Sequence, residues 1–285
     1  MKTEFVIVVV CLNPGEKLKG TLDSIFRQTY RDYRVIIKDG LSSDGTLQKL
    51  EDEAYFEGRP VEIIKKADKS IYDAMNQAAE YIKNPVDDKR VLVQFLNCGD
   101  TFHSEDVLSK AAAFVEKEED VSTPYIYYGD SYNMQTKTVV TPSPNLSEFN
   151  LYRNYPCHQT CFYDLVLFEK RPDGTGPYIP EYRIRADYEH FLYSIYEKKA
   201  QTVYMDITVC DYEGGGYSES RENKKRSKEE HSLITKKYMG ARATKYRAIL
   251  ILTCSGLRTA LAESKTFSGV YNSLKTAIYK RKKAK

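Results

Sequence analysis

The sequence predicts an α/β fold with a mostly parallel central sheet flanked by helices. Two observations support this class. Short, continuously apolar runs, of which residues 5–11 are the first, alternate with segments whose apolar residues recur at helical spacing. A strand that is apolar along its whole length is typical of a parallel sheet covered on both faces. Alternating strand and helix signals with short connections favour right-handed crossovers.

The first 120 residues contain four of these strand and helix units. The apolar, β-branched runs predict strands at 5–11, 33–38 and 61–65 and in the run that begins at Val91 and leads to Asp100. Apolar residues at helical spacing predict helices around 18–26, 47–56, 71–82 and 108–115. This half has the organisation of a nucleotide-binding domain, although no GxGxxG and no GxxxxGK[ST] motif is present.

Past residue 120 the alternation is less regular. The pattern predicts strands at 125–130 and 158–163 and one or two strands within 201–213, with a long loop from 141 to about 156. Asp187 opens a further helix, and the chain is expected to be helical and highly charged from about residue 222. Residues 121–220 would supply an acceptor-binding half.

Composition restricts the class of protein. The chain has 285 residues, 41% of them hydrophobic, which is enough for a substantial core. No apolar run approaches the roughly 20 residues that span a bilayer, and no signal-peptide pattern is visible at the start, so a cytoplasmic protein is expected. The six cysteines form no CxxC pair and indicate reduced thiols.

Charge is distributed unevenly along the chain. Residues 221–285 carry 18 Lys and Arg against 4 Glu, whereas residues 1–220 carry 25 against 36 acidic residues. A basic tail on an acidic body suggests an anionic partner, either a membrane or a nucleic acid. Apolar residues among the basic ones, such as Leu252 and Leu274, favour amphipathic helices on the inner face of the membrane. A solvated helical extension or a dimer arm is the alternative.

The turn that ends in Asp100 is the first candidate site. It follows an apolar strand, and open α/β sheets bind ligands at the carboxyl ends of their strands. A carboxylate there can contribute an oxygen ligand to a divalent ion that holds a diphosphate. Taken alone, the segment is equally compatible with an Asp that caps the next helix.

A series of motifs identifies a family. The segments FVIVVVCLN, LDSIFRQTY and VIIKDGLSSDGT occur in this order, and DKSIYDAMN, LNCGD, HQTCF and ADYE follow them. Together they resemble the inverting, nucleotide-sugar-dependent glycosyltransferases of family 2, in the branch that builds bacterial surface polysaccharides. The resemblance covers about residues 4–217 and implies a GT-A fold.

The resemblance implies a donor site formed by the first half. Asp39 would hydrogen-bond the nucleobase and Asp68 would lie near the nucleoside. The remaining donor-binding residues would be Asn13, Asn76, Asn97 and Asp100. Ser70 stands where the family usually has Gly, a residue that tolerates positive φ. The resemblance therefore does not fix the backbone geometry of the loop before Asn76.

The resemblance also implies the catalytic residues. Asp187 would be the base, with an ordinary helix cap as the alternative. Asp100 would bind Mn²⁺ or Mg²⁺, although Asn97-Cys98-Gly99-Asp100 retains only the last carboxylate of the family's Asp-x-Asp site. His158, Gln159 and Arg221 would contact the acceptor or the diphosphate, and His158 is also compatible with a packed core histidine.

These expectations define a function and its alternatives. Residues 1–220 would form a glycosyltransferase domain that moves a sugar, from a UDP-sugar by preference, to a glycan or lipid-linked acceptor, and residues 221–285 would form a basic helical extension. A sugar-phosphate nucleotidyltransferase and a noncatalytic nucleotide-sugar-binding protein are the alternatives. Nucleic acid is not expected, because the tail lacks a zinc pattern and an RNA-binding motif. Whether the chain forms a homo-oligomer stays open.

Overall fold

The computed structural model describes residues 2–82, 89–118, 120, 122–214, 221–253 and 268–283. The strands are β1 (Lys2–Cys11), β2 (Tyr33–Asp39), β3 (Val61–Lys65), β4 (Lys89–Phe95), β5 (Thr101–Phe102), β6 (Tyr125–Asn133), β7 (Thr138–Val140), β8 (Cys161–Asp164) and β9 (Gln201–Tyr212). The helices are α1 (Lys17–Phe26), α2 (Thr46–Asp52), α3 (Ile71–Tyr81), α4 (Val107–Val115), α5 (Glu148–Arg153), α6 (Ala186–Tyr196), α7 (Arg221–Met239), α8 (Ala241–Leu252) and α9 (Ser268–Lys283).

The described strands form one sheet in the order β3-β2-β1-β4-β8-β6-β9-β5, and β7 pairs with β6. The first four strands in this order are parallel, and β6 is parallel to β9, whereas β8 is antiparallel to both of its neighbours. Cys11 at the end of β1 pairs with Asp39 at the end of β2. The mostly parallel α/β sheet is confirmed, and the predicted donor residues other than Asn76, which lies in α3, are at or just after strand ends along its carboxyl edge.

Each face of the sheet is covered by helices. Alternate residues of β1 point to opposite sides, with Val6 and Val8 in one core cluster and Phe5 and Ile7 in the other. The first cluster includes buried residues of α3, α6 and α7, and the second includes buried residues of α1, α2 and α4. Burial on both faces explains why β1 is apolar along nearly its whole length.

The loop before α3 shows why Ser replaces the Gly that the family pattern has there. Ser70 is the N-cap of α3, and its side chain accepts a hydrogen bond from the backbone N–H of Asp73. Its φ of −171° is extended backbone that any residue adopts. Position 70 therefore does not require glycine, and serine is a favoured N-cap residue.

Several predicted boundaries are corrected. The strand expected at 158–163 starts as a 3-10 turn at His158–Thr160, and only Cys161–Asp164 is extended. The loop expected from 141 to 156 contains α5, which Ser147 caps through the backbone N–H of Asn150. The second helix ends at Asp52, short of the expected residue 56.

The first helix of the basic tail packs into the core. Ile234, Tyr238 and Met239 of α7 are buried and belong to the same apolar cluster as α3 and α6. The domain boundary predicted at residue 220 therefore does not separate α7 from the rest of the fold. None of the helices in the described part of the chain combines the length and the apolar content that a bilayer crossing requires.

A buried ion-pair network connects α6 and α7. Glu189 of α6 is fully buried and accepts two hydrogen bonds from the Arg171 guanidinium and further ones from Lys237 and Tyr238. Burial alone would raise the pKa of Glu189, but the hydrogen bonds and charge of Arg171 hold it below its ordinary value. Arg171 is itself buried, with 5% of its surface exposed.

Arg171→Ala should destabilise the fold by about 3 kcal/mol, because removing one partner of a buried pair leaves a carboxylate without adequate compensation. Urea unfolding followed by circular dichroism measures the change. Lys198→Ala is the control, because its ion pair with Glu169 lies at the surface and should contribute only about 0–1 kcal/mol. Equal effects of the two substitutions would contradict this account.

Candidate active site

Asp39 ends β2 at the carboxyl edge of the sheet. Its side chain is buried and accepts hydrogen bonds from the hydroxyl and the backbone N–H of Ser42, at 2.5 and 3.0 Å. The Cys11 thiol of β1 also donates to it, and burial followed by the charge of Asp39 raises the pKa of that thiol, which stays protonated. The carboxylate thus organises the loop after β2.

Asn13 joins this loop to the one after β1. Its side-chain oxygen accepts from the backbone N–H of Ser43 at 2.8 Å, and its own N–H donates to the Ser42 hydroxyl at 2.8 Å. Asn13 has φ of +49°, a left-handed conformation that asparagine tolerates better than most residues. The two loops therefore form one surface beside Asp39.

Lys38 connects Asp68 to the surface beside Asp39. Its fully buried ammonium donates to Asp68 Oδ2 at 2.8 Å and to the backbone oxygens of Lys66 and Asp39. A Cβ on Gly40 would lie 2.7 Å from Asp68 Oδ2, so glycine permits this close approach. Lys38 was not identified as a site residue from the sequence, although a lysine inside an otherwise apolar strand is unusual and indicates a paired charge.

The Asp100 turn connects the two halves of the chain. Asp100 is 4% exposed; Oδ2 accepts from Gln159 Nε2 at 3.0 Å and Oδ1 accepts from the backbone N–H of Glu213 at 2.9 Å. Burial raises its pKa to about 6. Gln159, expected to contact substrate, therefore holds Asp100, and the alternative of a simple helix cap is not what the structure shows.

A second polar pair borders this turn. The Glu213 carboxylate accepts from Lys17 Nζ at 2.7 Å, and it lies so close to Gly99 that a Cβ there would be 2.6 Å from Glu213 Oε2. Within the described residues, no group of three or more His, Cys, Asp or Glu side chains could hold a metal ion. A single carboxylate can still ligate a divalent cation when phosphate and water supply most of the oxygen ligands.

Asp187 lies in a cleft of about 390 Å³. Tyr155 donates to its Oδ2 at 2.5 Å and Tyr72 lies 3.0 Å from its Oδ1. Arg185, two residues earlier, occupies the N-cap position of α6, so Asp187 is not the cap. The described walls of the cleft include Tyr72, Asn97, Tyr155, His158, Gln159 and Asp187.

Two polar side chains, those of His158 and Asn97, line this cleft. His158 is buried with its ring 6.3 Å from that of Phe95, and burial lowers its pKa, so the imidazole is neutral near pH 7. The side-chain oxygen of Asn97 is buried and has no hydrogen-bond partner among the described residues. An unsatisfied buried acceptor beside a cleft fits a ligand that supplies a donor.

Two predicted site residues are not brought into this group. The Asn76 amide is paired with the backbone of Tyr178 in both directions, at 2.8 and 2.9 Å, so it fixes a loop instead of facing the cleft. Arg221 begins α7, but its side chain lies outside the described part of the structure, as do residues 215–220. Tyr72 and Tyr155, which hold Asp187, were not identified as site residues from the sequence.

Comparison with known sequences agrees with this geometry. A family model described as "Glycosyl transferase family 2" matches residues 6–169. PGL/p-HBAD biosynthesis glycosyltransferases of Mycobacterium bovis and Mycobacterium tuberculosis are each 32% identical to the chain over 216 residues, which covers 75% of this chain and 78% of the relative. The family match includes the segments that carry Asp39 and Asp100.

Solved structures with the same fold include two glycosyltransferases. S. aureus TarS 1–349 in complex with UDP has a TM-score of 0.63 and 16% identity, covering 92% of this chain and 73% of that one. The mannosyltransferase PcManGT from Pyrobaculum calidifontis, in complex with GDP-Man and Mn²⁺, has a TM-score of 0.57 and 14% identity, covering 96% and 85%. At these identities the likeness concerns the fold alone.

Gly99→Ala should lower the free energy of unfolding by about 1–3 kcal/mol, since the residue has φ of +104° and a Cβ would displace the Glu213 carboxylate. Gly20→Ala is the matched control, because Gly20 lies in α1 with open space around it and should stabilise by about 0.5–1 kcal/mol. Denaturant unfolding of both variants measures the difference. Stabilisation by Gly99→Ala would rule out the strained turn.

Proposed function

The chain belongs to glycosyl transferase family 2, its fold is GT-A, and the predicted enzyme class, a glycosyltransferase, is confirmed. On that premise we propose that the enzyme moves a sugar from a nucleoside-diphosphate sugar to a glycan or lipid-linked acceptor, with inversion. The observation that carries the proposal is a half-buried carboxylate, Asp187, held by two tyrosine hydroxyls in a cleft that also contains Gln159, the partner of Asp100.

The proposed reaction is a single displacement. Asp187 takes the proton of the acceptor hydroxyl, the acceptor oxygen bonds to the anomeric carbon, and the bond from that carbon to the diphosphate breaks on the opposite face. A positioned base supplies roughly 10²–10⁴-fold in rate. Tyr155 and Tyr72 restrict the orientation of the Asp187 carboxylate, which favours proton abstraction in one direction.

The donor nucleoside is assigned to the surface formed by Asn13, Asp39 and Asp68. These residues follow the ends of β1, β2 and β3, the edge where α/β sheets bind nucleotides. The relatives of known structure bind UDP, UDP-GlcNAc and GDP-Man, all of them nucleoside diphosphates or their sugars. We favour a UDP-sugar, and Asn76 is left out of this surface.

The diphosphate is assigned to the Asp100 turn together with Mn²⁺ or Mg²⁺. The bound cation would neutralise the charge that develops on the departing diphosphate. Asp100 would be its protein ligand, and Gln159 keeps the Asp100 carboxylate oriented from the other half of the chain. Arg221 stays a candidate for a further diphosphate contact.

The acceptor is assigned to the cleft in front of Asp187. Tyr72 and Tyr155 give it aromatic walls, and Asn97 and neutral His158 provide polar groups, a combination typical of small-molecule sites. The two alternatives, a nucleotidyltransferase and a noncatalytic binder, are not favoured, because the family model and the curated relatives are glycosyltransferases. A lipid-linked acceptor would suit an enzyme that works at a membrane surface.

Helix α9 supports attachment to such a surface. Asn272 anchors the helix to Thr138, while Val270, Leu274 and Ile278 are more than half exposed at a spacing of four residues. Such a stripe lies along one face of a helix. Residues 280–285 carry five Lys and Arg. An apolar stripe followed by basic residues fits an anionic bilayer.

The decisive experiment is a panel of nucleotide sugars incubated with the enzyme and sugar acceptors, with and without Mn²⁺, in which released nucleoside diphosphate and glycosylated product are measured. We expect product from one nucleotide sugar and loss of turnover after chelation of the ion. Binding of nucleotide sugars without any transfer to the panel of acceptors would favour the noncatalytic alternative.

Asp187→Asn should lower the transfer rate about 10²–10⁴-fold and leave the dissociation constant of the nucleoside diphosphate unchanged, whereas Asp39→Asn should weaken donor binding about tenfold, the loss of a hydrogen bond to a charged group. Calorimetric titration and single-turnover assays separate the two effects. Asp173→Asn, in an exposed loop, is the control. Turnover by Asp187→Asn equal to that of the unmodified enzyme would remove Asp187 from the base role.

Leu274→Ser combined with Ile278→Ser should weaken binding to vesicles that contain anionic lipid by more than tenfold, since each buried leucine-sized side chain contributes about 1.5–3 kcal/mol. Sedimentation with vesicles measures the bound fraction. Leu233→Ser, at an exposed apolar position of α7, is the control. Equal binding by all three proteins would exclude α9 as the contact.

A further inference from the structure

The segment that leads into α6 is held by a side chain from α7. The backbone N–H groups of Arg183, Ile184 and Arg185 donate to the carboxylate of Glu230 at 3.0, 2.9 and 2.9 Å. Arg185 occupies the N-cap position of α6, and its own side chain makes no capping hydrogen bond. A carboxylate from a distant part of the chain therefore satisfies three consecutive donors.

Glu230 is itself fixed in place. It is 4% exposed, and Arg226, one turn earlier on α7, donates to its Oε1 at 2.8 Å. The Arg185 side chain reaches back to α7 and donates to the hydroxyl and backbone oxygen of Ser227, both at 2.8 Å. Helix α7 thus contacts the same segment at two points, and both contacts are polar and directional.

This segment determines where Asp187 lies. Asp187 follows Arg185 by two residues, and the Tyr72 hydroxyl is within hydrogen-bond distance of both the Ile184 backbone oxygen, at 2.8 Å, and Asp187 Oδ1, at 3.0 Å. A displacement of residues 183–185 would change the distances from Tyr72 to both acceptors. The hydrogen bonds to Glu230 oppose that displacement.

We propose that Glu230 is a positioning residue for transfer: it holds the start of α6 so that the Asp187 carboxylate meets the acceptor hydroxyl. The proposal rests on the proposed function of Asp187 as the base. It gives the beginning of the basic tail a role in the reaction, because the residue that orients the base lies on α7. Glu230 acts through the backbone and does not touch substrate.

The chemistry of the contact explains the need for a carboxylate. Three N–H donors converge on two oxygens, and hydrogen bonds to an ionised acceptor are about twice as strong as neutral ones. A glutamine of the same size would have one oxygen and would direct an NH₂ group at the remaining donors. Glu230→Gln therefore weakens the hydrogen bonds that hold the segment while nearly preserving the volume of the side chain.

Glu230→Gln should lower kcat about 10- to 100-fold, the effect expected when a reacting group is displaced by an ångström or less. The dissociation constant of the donor nucleoside diphosphate should be unchanged, since the donor surface lies after β1, β2 and β3. Glu229→Gln, the adjacent exposed position on α7, is the matched control and should keep the kcat of the unmodified enzyme.

A double substitution separates positioning from general destabilisation. If Glu230 acts through Asp187, adding Glu230→Gln to Asp187→Asn should not lower the residual transfer rate further, because effects of residues that act as a unit are not additive. Ile234→Ala, which loosens the packing of α7 at a fully buried position, should lower stability and leave kcat unchanged. Ser227→Ala is a milder second variant and should lower kcat in the same direction as Glu230→Gln.

The outcomes distinguish the two proposals. An Asp187→Asn variant that retains full turnover would overturn the base assignment and the role of Glu230 with it. If Asp187→Asn is inactive and Glu230→Gln has normal kcat, only the positioning role is wrong. The positioning role is also wrong if Ile234→Ala reproduces the loss of kcat, or if Glu230→Gln lowers the rate by the same factor in both backgrounds.

Discussion

A buried carboxylate needs a full set of hydrogen bonds, and the arrangement of this fold depends on how Asp100 obtains them. An ionised group removed from water is costly unless it is paired. Asp100 receives its donors from Gln159 and from the backbone of Glu213, and its backbone oxygen accepts from the Thr21 hydroxyl. Segments far apart in sequence must therefore meet at the end of β4, where the two halves of the enzyme join.

The hydrogen bonds around Asp100 continue to residues of the cleft. Gln159, which donates to Asp100, accepts at its backbone oxygen from Gln94 of β4. These contacts fix the short 3-10 turn that also contains His158, and so they fix one wall of the cleft. The side-chain oxygen of Asn97, which has no hydrogen-bond partner in the described part of the chain, lines the same cleft. The hydrogen bonds that hold Asp100 thus also shape the cleft that contains Asp187.

Part of the candidate site could be located from the sequence because its residues lie at or just after the ends of strands. Asp39 and Asp100 follow apolar runs, so their position at the sheet edge follows from the strand assignment alone. Asn76 shows the limit of such patterns. It lies one turn, about 5.4 Å, further along α3 than Tyr72, and so pairs with the Tyr178 loop while Tyr72 reaches Asp187.

The contacts around Asp187 could not be predicted, since they come from three separate elements. Tyr72 belongs to α3, Tyr155 follows α5, and Glu230 belongs to α7. In a chain with 24 tyrosines, no local pattern marks the two that face Asp187. Their convergence depends on helix packing, which hydrophobic spacing predicts as a buried face without predicting which polar side chains will meet.

The helices of the basic tail lie in different environments. The net positive charge of the tail suggested instead one unit with one partner. Helix α7 buries Ile234 and directs Glu230, one of only four acidic residues after position 220, at the start of α6. Helix α9 instead leaves Leu274 exposed. If α9 binds the membrane and α7 orients the base, the helices after β9 have two connected roles. One would bring the enzyme to the surface where a lipid-linked acceptor lies, and the other would position the carboxylate that activates this acceptor.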